Sequence, residues 1–269
     1  MASITLTSAL RTEYGRLFES CVIRPTRLTE VTAAADRLIT NRGRYEKVTE
    51  TTGVPWPMVA VVHNMESSQN FTRHLHNGDP LTARTVQVPA GRPRSGEPPF
   101  TWEVSTAAAL SIHKLDGDTD WSVAGMLYAL EAYNGWGYRR RHPHVLTPYL
   151  WSGSEHYSAG KFVADGTWSE TAVSKQIGAA VLLRRLAERG AFAFADQPKP
   201  IASKPLIVSF SAKASRDPER LEQAKALQRW LNTHTGIFVL VDGAPGKRTS
   251  DAFRAVTGEL LPGDPRRSS

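Results

Sequence analysis

The sequence predicts a mainly α protein with a small β-hairpin or sheet beside a cleft and a small helical unit at its C-terminal end. Three observations point there. Apolar residues recur at spacings of three and four along most of the chain. Thr82–Val88 (TARTVQV) alternates as a half-buried strand does. Pro198, Pro200 and Pro205 then break the periodicity before a last compact segment. The expected organisation is a large helical domain over 1–195, a linker over 196–215, a small helical domain over 216–262 and a tail over 263–269.

Residues 8–22 carry Leu10, Tyr14, Leu17, Phe18 and Cys21 on one helical stripe, which makes Cys21 a core thiol. A second helix is expected from Thr29, its N-cap, with Val31, Ala34, Ala35, Leu38 and Ile39 inward and Asn41–Gly43 ending it. A short helix over Tyr45–Thr52 stops at Gly53. Pro55 and Pro57 start another, whose Val59, Val62 and Glu66 share the face that packs inward. Asp79 follows in a polar, Gly-containing run, and Pro89–Phe100 is a turn-rich loop.

Further helices are expected over Ser105–Leu115 and Asp120–Tyr133. The DGDTD link between them lacks the Gly (Trp121) and Glu (Leu127) that a calcium loop needs. Asn134–Trp151 reads as an aromatic-rich loop and GKFVADGTW as the next connection. A long helix is expected from Ser169, its N-cap, to Gly190, with Val173, Ile177, Val181 and Leu186 inward. In the last segment Asp217–Pro218 starts a helix, Asp242–Gly243 makes a turn and Thr249 caps the final helix, with a frayed tail from Leu261.

The chain has 269 residues, 41% of them hydrophobic and 22% charged, as in an ordinary soluble protein. Its longest apolar runs, Met58–Val62 among them, are far too short to enter a membrane stably. The N-terminus lacks the charged lead and apolar core of a signal peptide, and a lone Cys21 forms no internal disulfide. The expectation is a monomer that stays cytoplasmic until it is released or exported by a non-standard route. A net charge of +7 favours an anionic partner, yet the basic residues are scattered apart from Arg139–Arg141 and Arg266–Arg267. No nucleic-acid-binding signature is present, so nucleic acid is not the expected partner.

Glu66 and Asp79 are the candidate chemical pair. A Glu on an apolar helix has its pKa raised by desolvation and can act as a general acid, while an Asp in the polar HNGDP context stays ionised. Two carboxylates with those roles suit glycosidic cleavage, with Asp79 as base or electrostatic stabiliser. Thr85, six residues beyond Asp79, is placed to hold a water. Trp136, Tyr138, Tyr149, Trp151 and Tyr157 are candidate stacking surfaces for sugar rings, with His76 and Asn77 lining the cleft. His63, His74, His76 and Asp79 could be taken for a zinc set, but without HExxH or paired cysteines no metal is expected, nor any organic cofactor.

The segments HNMESSQNF, LHNGDPLTARTVQVPAGRP, YNGWGYR and PYLWSGSEHYSAGKFVADG resemble the lysozyme-like peptidoglycan hydrolases of phage endolysins and related bacterial proteins, over about residues 45–190. The order Glu66, Asp79, Thr85 is similar to the catalytic Glu–Asp–Thr arrangement of T-even phage lysozymes, with a longer Glu-to-Asp interval here. LQRWLN (Leu227–Asn232) and VDGAPGKRTSDAF (Val241–Phe253) are similar to the three-helix peptidoglycan-binding domain often fused to such enzymes. The resemblance implies a lysozyme-like fold and hydrolysis of the β-1,4 glycan strand of peptidoglycan, as a muramidase or N-acetylglucosaminidase. A lytic transglycosylase, a chitinase or chitosanase on the same scaffold, and a non-catalytic wall-binding protein are the alternatives.

Overall fold

A computed structural model describes residues 4–196 and 205–268. The protein is mainly helical, with eleven α-helices and one two-stranded antiparallel sheet among the described residues. It divides into two compact units, Met1–Leu186 and Ala187–Ser269. No helix of the described residues is long and apolar enough to cross a membrane.

The N-terminal unit opens with α1 (Ser8–Glu19), capped by Thr7, whose Oγ1 accepts from Leu10 N at 3.2 Å. A 3-10 turn, Pro25–Arg27, leads into α2 (Leu28–Thr40), so Thr29 lies inside the helix and does not cap it. Asn41 ends α2, but Gly43 belongs to α3 (Arg42–Thr52), which stops at left-handed Gly53. A Cβ on Gly53 would sit 2.6 Å from Gly117 Cα, so both conformation and space demand glycine there. α4 (Trp56–Ser67) follows, then α5 (Trp102–Ile112) and α6 (Val123–Asn134), capped by Thr101 and Ser122. α1 packs on α6, and α3 packs on both α4 and α5.

Further expectations are corrected in this unit. Thr82–Val88 is not a strand: Val86 and Val88 are exposed, and the Asp79 carboxylate takes the Val86 and Gln87 N–H groups that a ladder would use. The hairpin lies instead at β1 (Lys161–Ala164) and β2 (Thr167–Ser169), joined through Asp165–Gly166, a strong hairpin signal. Asn134–Trp151 is not all loop, since it holds α7 (Gly137–Arg141) and α8 (Pro148–Trp151). The long helix from Ser169 shrinks to α9 (Ala179–Glu188). Before it, Gly160 N donates to Ala172 O and Ser174 N to the Tyr157 hydroxyl, which fixes residues 170–178 as a non-helical strap and leaves Val173 exposed. At its end Gly178 has no room for a Cβ, which would lie 2.3 Å from Leu150 O. Cys21 is buried, as the stripe requires.

The C-terminal unit contains α10 (Pro218–Leu231), capped by Asp217, and α11 (Lys247–Thr257). Leu227, Trp230, Leu231, Val239, Ala252, Phe253 and Leu261 form its core. Among the described residues it holds two α-helices and a closing 3-10 turn, not three helices. Val208 and Phe210, inside the expected linker, pack against that core, while residues 197–204 of the linker lie outside the described residues. Thr249 does not cap α11, whose N-cap is Gly246; its hydroxyl accepts from buried Gln228, which also bonds Asp242 and Gly243. The expected fraying from Leu261 is corrected too: Leu261 is buried, and buried Asp264 is paired with Arg266.

Candidate functional site

α4 is apolar on every side, and Trp56 through His63 are all buried. Glu66 lies in its last turn. Val59 and Val62 point into the core as expected, but Glu66 emerges from it and is exposed. The chain then reverses through Ser68 and Gln69, both left-handed at φ 51° and 63°. Two adjacent non-glycine residues in that region store strain of roughly 1–3 kcal/mol each, which persists only where surrounding bonds impose it. Gln69 supplies them: its Nε2 donates to Asn64 Oδ1 at 2.9 Å and to Ala34 O at 3.3 Å.

Solvent reaches the Glu66 carboxyl, yet enough protein surrounds it for desolvation to raise its pKa. The buried Tyr149 of α8 donates its O–H to Glu66 Oε1 at 2.8 Å and opposes the rise by favouring the carboxylate. Glu66 Oε2 receives no hydrogen bond among the described residues. The nearby Tyr133 of α6 has its own pKa raised by burial and then by the Glu66 charge. Its ring stacks on His113, with centroids 3.8 Å apart and planes 19° apart. His113 is another accessible group whose pKa desolvation shifts, here downward. His76 is pushed down to about 4 by burial first, then by the charges of His74, Arg92 and His113. Both of its ring nitrogens are buried and lack a partner. Glu66, Tyr149, Tyr133, His113 and His76 thus form one connected locale. Sequence reasoning missed Tyr133 and His113, because nothing local distinguishes them from core and surface aromatics.

Asp79 and Thr85 stand differently. Asp79 Oδ2 accepts from Val86 N at 2.8 Å, Gln87 N at 3.1 Å and Asn77 Nδ2 at 3.0 Å. Those bonds, the Gln87 and Val86 amides foremost, lower its pKa, so Asp79 is an ionised organiser of its loop. Asn77 is spent on the same turn, accepting from Asp79 N and donating to Gln87 O. Thr85 is buried; its hydroxyl donates to Pro89 O at 2.6 Å and accepts from Arg92 N at 2.9 Å, which leaves no donor for a water. His74 has both nitrogens engaged, Nδ1 with Ser105 Oγ at 2.7 Å and Nε2 with Ala83 O at 2.8 Å. His63 is buried beside Tyr45 and pushed down to about 4 by burial. With His74 so committed, these histidines and Asp79 do not make a ligand set.

The expected stacking surfaces are mostly interior. Trp151, Tyr149 and Tyr157 are buried, and Trp151 is only 1% exposed. Trp136 packs on Tyr128, and Tyr138 packs between Phe162 and Trp168. Their aromatic faces serve the fold, and Tyr149 reaches the site through its hydroxyl alone. A separate cavity of about 400 Å³ in this unit is lined by Glu13, Arg16, Glu131, Arg139, Thr147 and Trp151, and does not include Glu66.

The chain matches no protein-family model, no curated protein and no solved structure.

Proposed function

We propose that the protein cleaves the β-1,4 glycan strand of bacterial peptidoglycan with Glu66 as its general acid, on a lysozyme-like N-terminal unit. One observation carries this: an accessible carboxyl whose pKa is raised, with Oε1 engaged by Tyr149 and Oε2 unbonded. Because the Tyr149 O–H occupies Oε1, the acidic proton resides on Oε2, the atom open to a substrate. Oε2 gives that proton to the glycosidic oxygen as the bond to the anomeric carbon breaks. The Tyr149 hydrogen bond then stabilises the carboxylate left behind.

The C-terminal unit is read as a wall-binding module. It offers a cavity of about 350 Å³ lined by Lys213, Arg220, Gln223 and three serines (Ser209, Ser211 and Ser215), chemistry suited to an anionic, hydroxyl-rich polymer.

A second reading, a lytic transglycosylase, is favoured by the state of Asp79. With Oδ2 committed to its own loop, Glu66 is left to act as both acid and base. The Glu66 carboxylate would then take its proton either from water, giving a reducing end, or from a hydroxyl of the cleaved sugar, giving an anhydro end. Mass spectrometry of fragments from purified peptidoglycan separates the two, since anhydro fragments are lighter by one water. Fragments of either mass support glycan cleavage. An undigested polymer, or cuts confined to the peptide stems, would refute it.

A further inference from the structure

We propose that His142, His144 and Glu170 bind one divalent transition-metal ion, zinc being the best match, at a site that shares no residue with the Glu66 locale. One donor atom from each of the three lies within 4.8 Å of the others. His142 is the C-cap of α7, Pro143 stiffens the step to His144, and Glu170 directly follows β2. Residues distant in sequence are thereby brought together by the hairpin.

The scaffold under this cluster is rigid. Trp168 of β2 lies flat on the His142 ring, with centroids 3.5 Å apart and planes 8° apart. Trp168 is itself wedged edge-on against Phe162 at 5.1 Å and Tyr138 at 5.6 Å. The His142 ring is therefore oriented before any ion arrives, and it makes no side-chain hydrogen bond among the described residues. His144 Nε2 lies 3.5 Å from Glu170 Oε2. Ligand atoms about 2.0–2.2 Å from a tetrahedral zinc are separated by about 3.4 Å, so this pair already spans one edge of the tetrahedron. His144 and Glu170 are exposed, and small side-chain rotations bring them onto the ion held by His142.

Two imidazoles and one carboxylate select zinc, copper or nickel over magnesium and calcium, which demand oxygen ligands. Water takes the fourth position. The bound ion joins the α7–α8 connection to the hairpin, so it also stabilises the folded chain by mass action.

The test is calorimetric titration of tag-free full-length protein with zinc chloride, for wild type, His144→Ala and Glu170→Gln. Both substituted residues are exposed, so the variants fold, and metal-free melting curves verify it. One zinc per chain is expected in wild type, unaffected by excess magnesium. Each variant should bind at least about tenfold more weakly, the least that even loss of an outer-shell partner costs. Absence of zinc uptake by wild type, or a smaller loss in both variants, overturns the proposal.

Discussion

Glu66→Gln is expected to lower turnover of purified peptidoglycan by about 10²–10⁴-fold, the range a positioned general acid contributes. Glutamine keeps the shape and can still accept the Tyr149 hydrogen bond through its amide oxygen. What it lacks is a transferable proton on the second atom, so the loss falls on the rate constant and not on binding. Since Glu66 is exposed, the substitution leaves the melting transition within about 0.5 kcal/mol of wild type. Initial rates of fragment release, read beside a thermal melt, check both halves. A stable Glu66→Gln protein with undiminished rate would remove Glu66 from the chemistry.

Arg139→Leu is expected to destabilise the protein by about 3 kcal/mol, the low end for breaking a buried ion pair, because the guanidinium keeps part of its surface to solvent. Arg139 reaches from α7 to Glu131 on α6 through two bonds, Nε–Oε1 at 3.1 Å and Nη2–Oε2 at 3.0 Å, and to Glu13 on α1 at 3.0 Å. Glu131 is 3% exposed and also accepts from the buried Tyr14 hydroxyl, whose pKa is raised by burial and then by that carboxylate. Removing the cation leaves a buried carboxylate with no charge to answer it. Adding Glu131→Gln to Arg139→Leu should recover part of the loss, since the neutral amide retains the Tyr14 bond. Urea denaturation of the two variants at neutral pH measures this.

That network also shows where reading the sequence reaches its limit. The α1, α6 and α10 helices are legible because their apolar residues recur at three and four, and α4 because an unbroken apolar run follows Pro55; Thr7, Ser122 and Asp217 mark the other three starts. Arg139, by contrast, reads as one of three basic residues in a row, and only the fold reveals that it is spent internally. The alternation of Thr82–Val88 misleads because one side chain, Asp79, captures the amides that would build a ladder. The strap at 170–178 is apolar enough to suggest a helix, yet Tyr157, Gly160 and Ser152 claim its backbone from outside. In the candidate site, Glu66 is legible from the end of an apolar helix. Its partner Tyr149 is visible only as an aromatic residue, because the relevant atom is its hydroxyl and the contact spans 83 positions.

The central physical claim is that the Glu66 carboxyl holds its proton to higher pH than a free glutamate, which titrates near about 4.3. Carbon-13 NMR of protein labelled at glutamate side-chain carboxyls, with the Glu66 resonance identified by its disappearance in Glu66→Gln, measures that titration directly. Deleting the Tyr149 hydroxyl removes a bond that favours the charged form, so Tyr149→Phe should move the midpoint further upward, and the alkaline limb of the activity profile with it. The expected result is a wild-type midpoint above the ordinary glutamate range and a higher one in Tyr149→Phe. A wild-type midpoint at or below that range, or a downward move in the variant, would contradict the account.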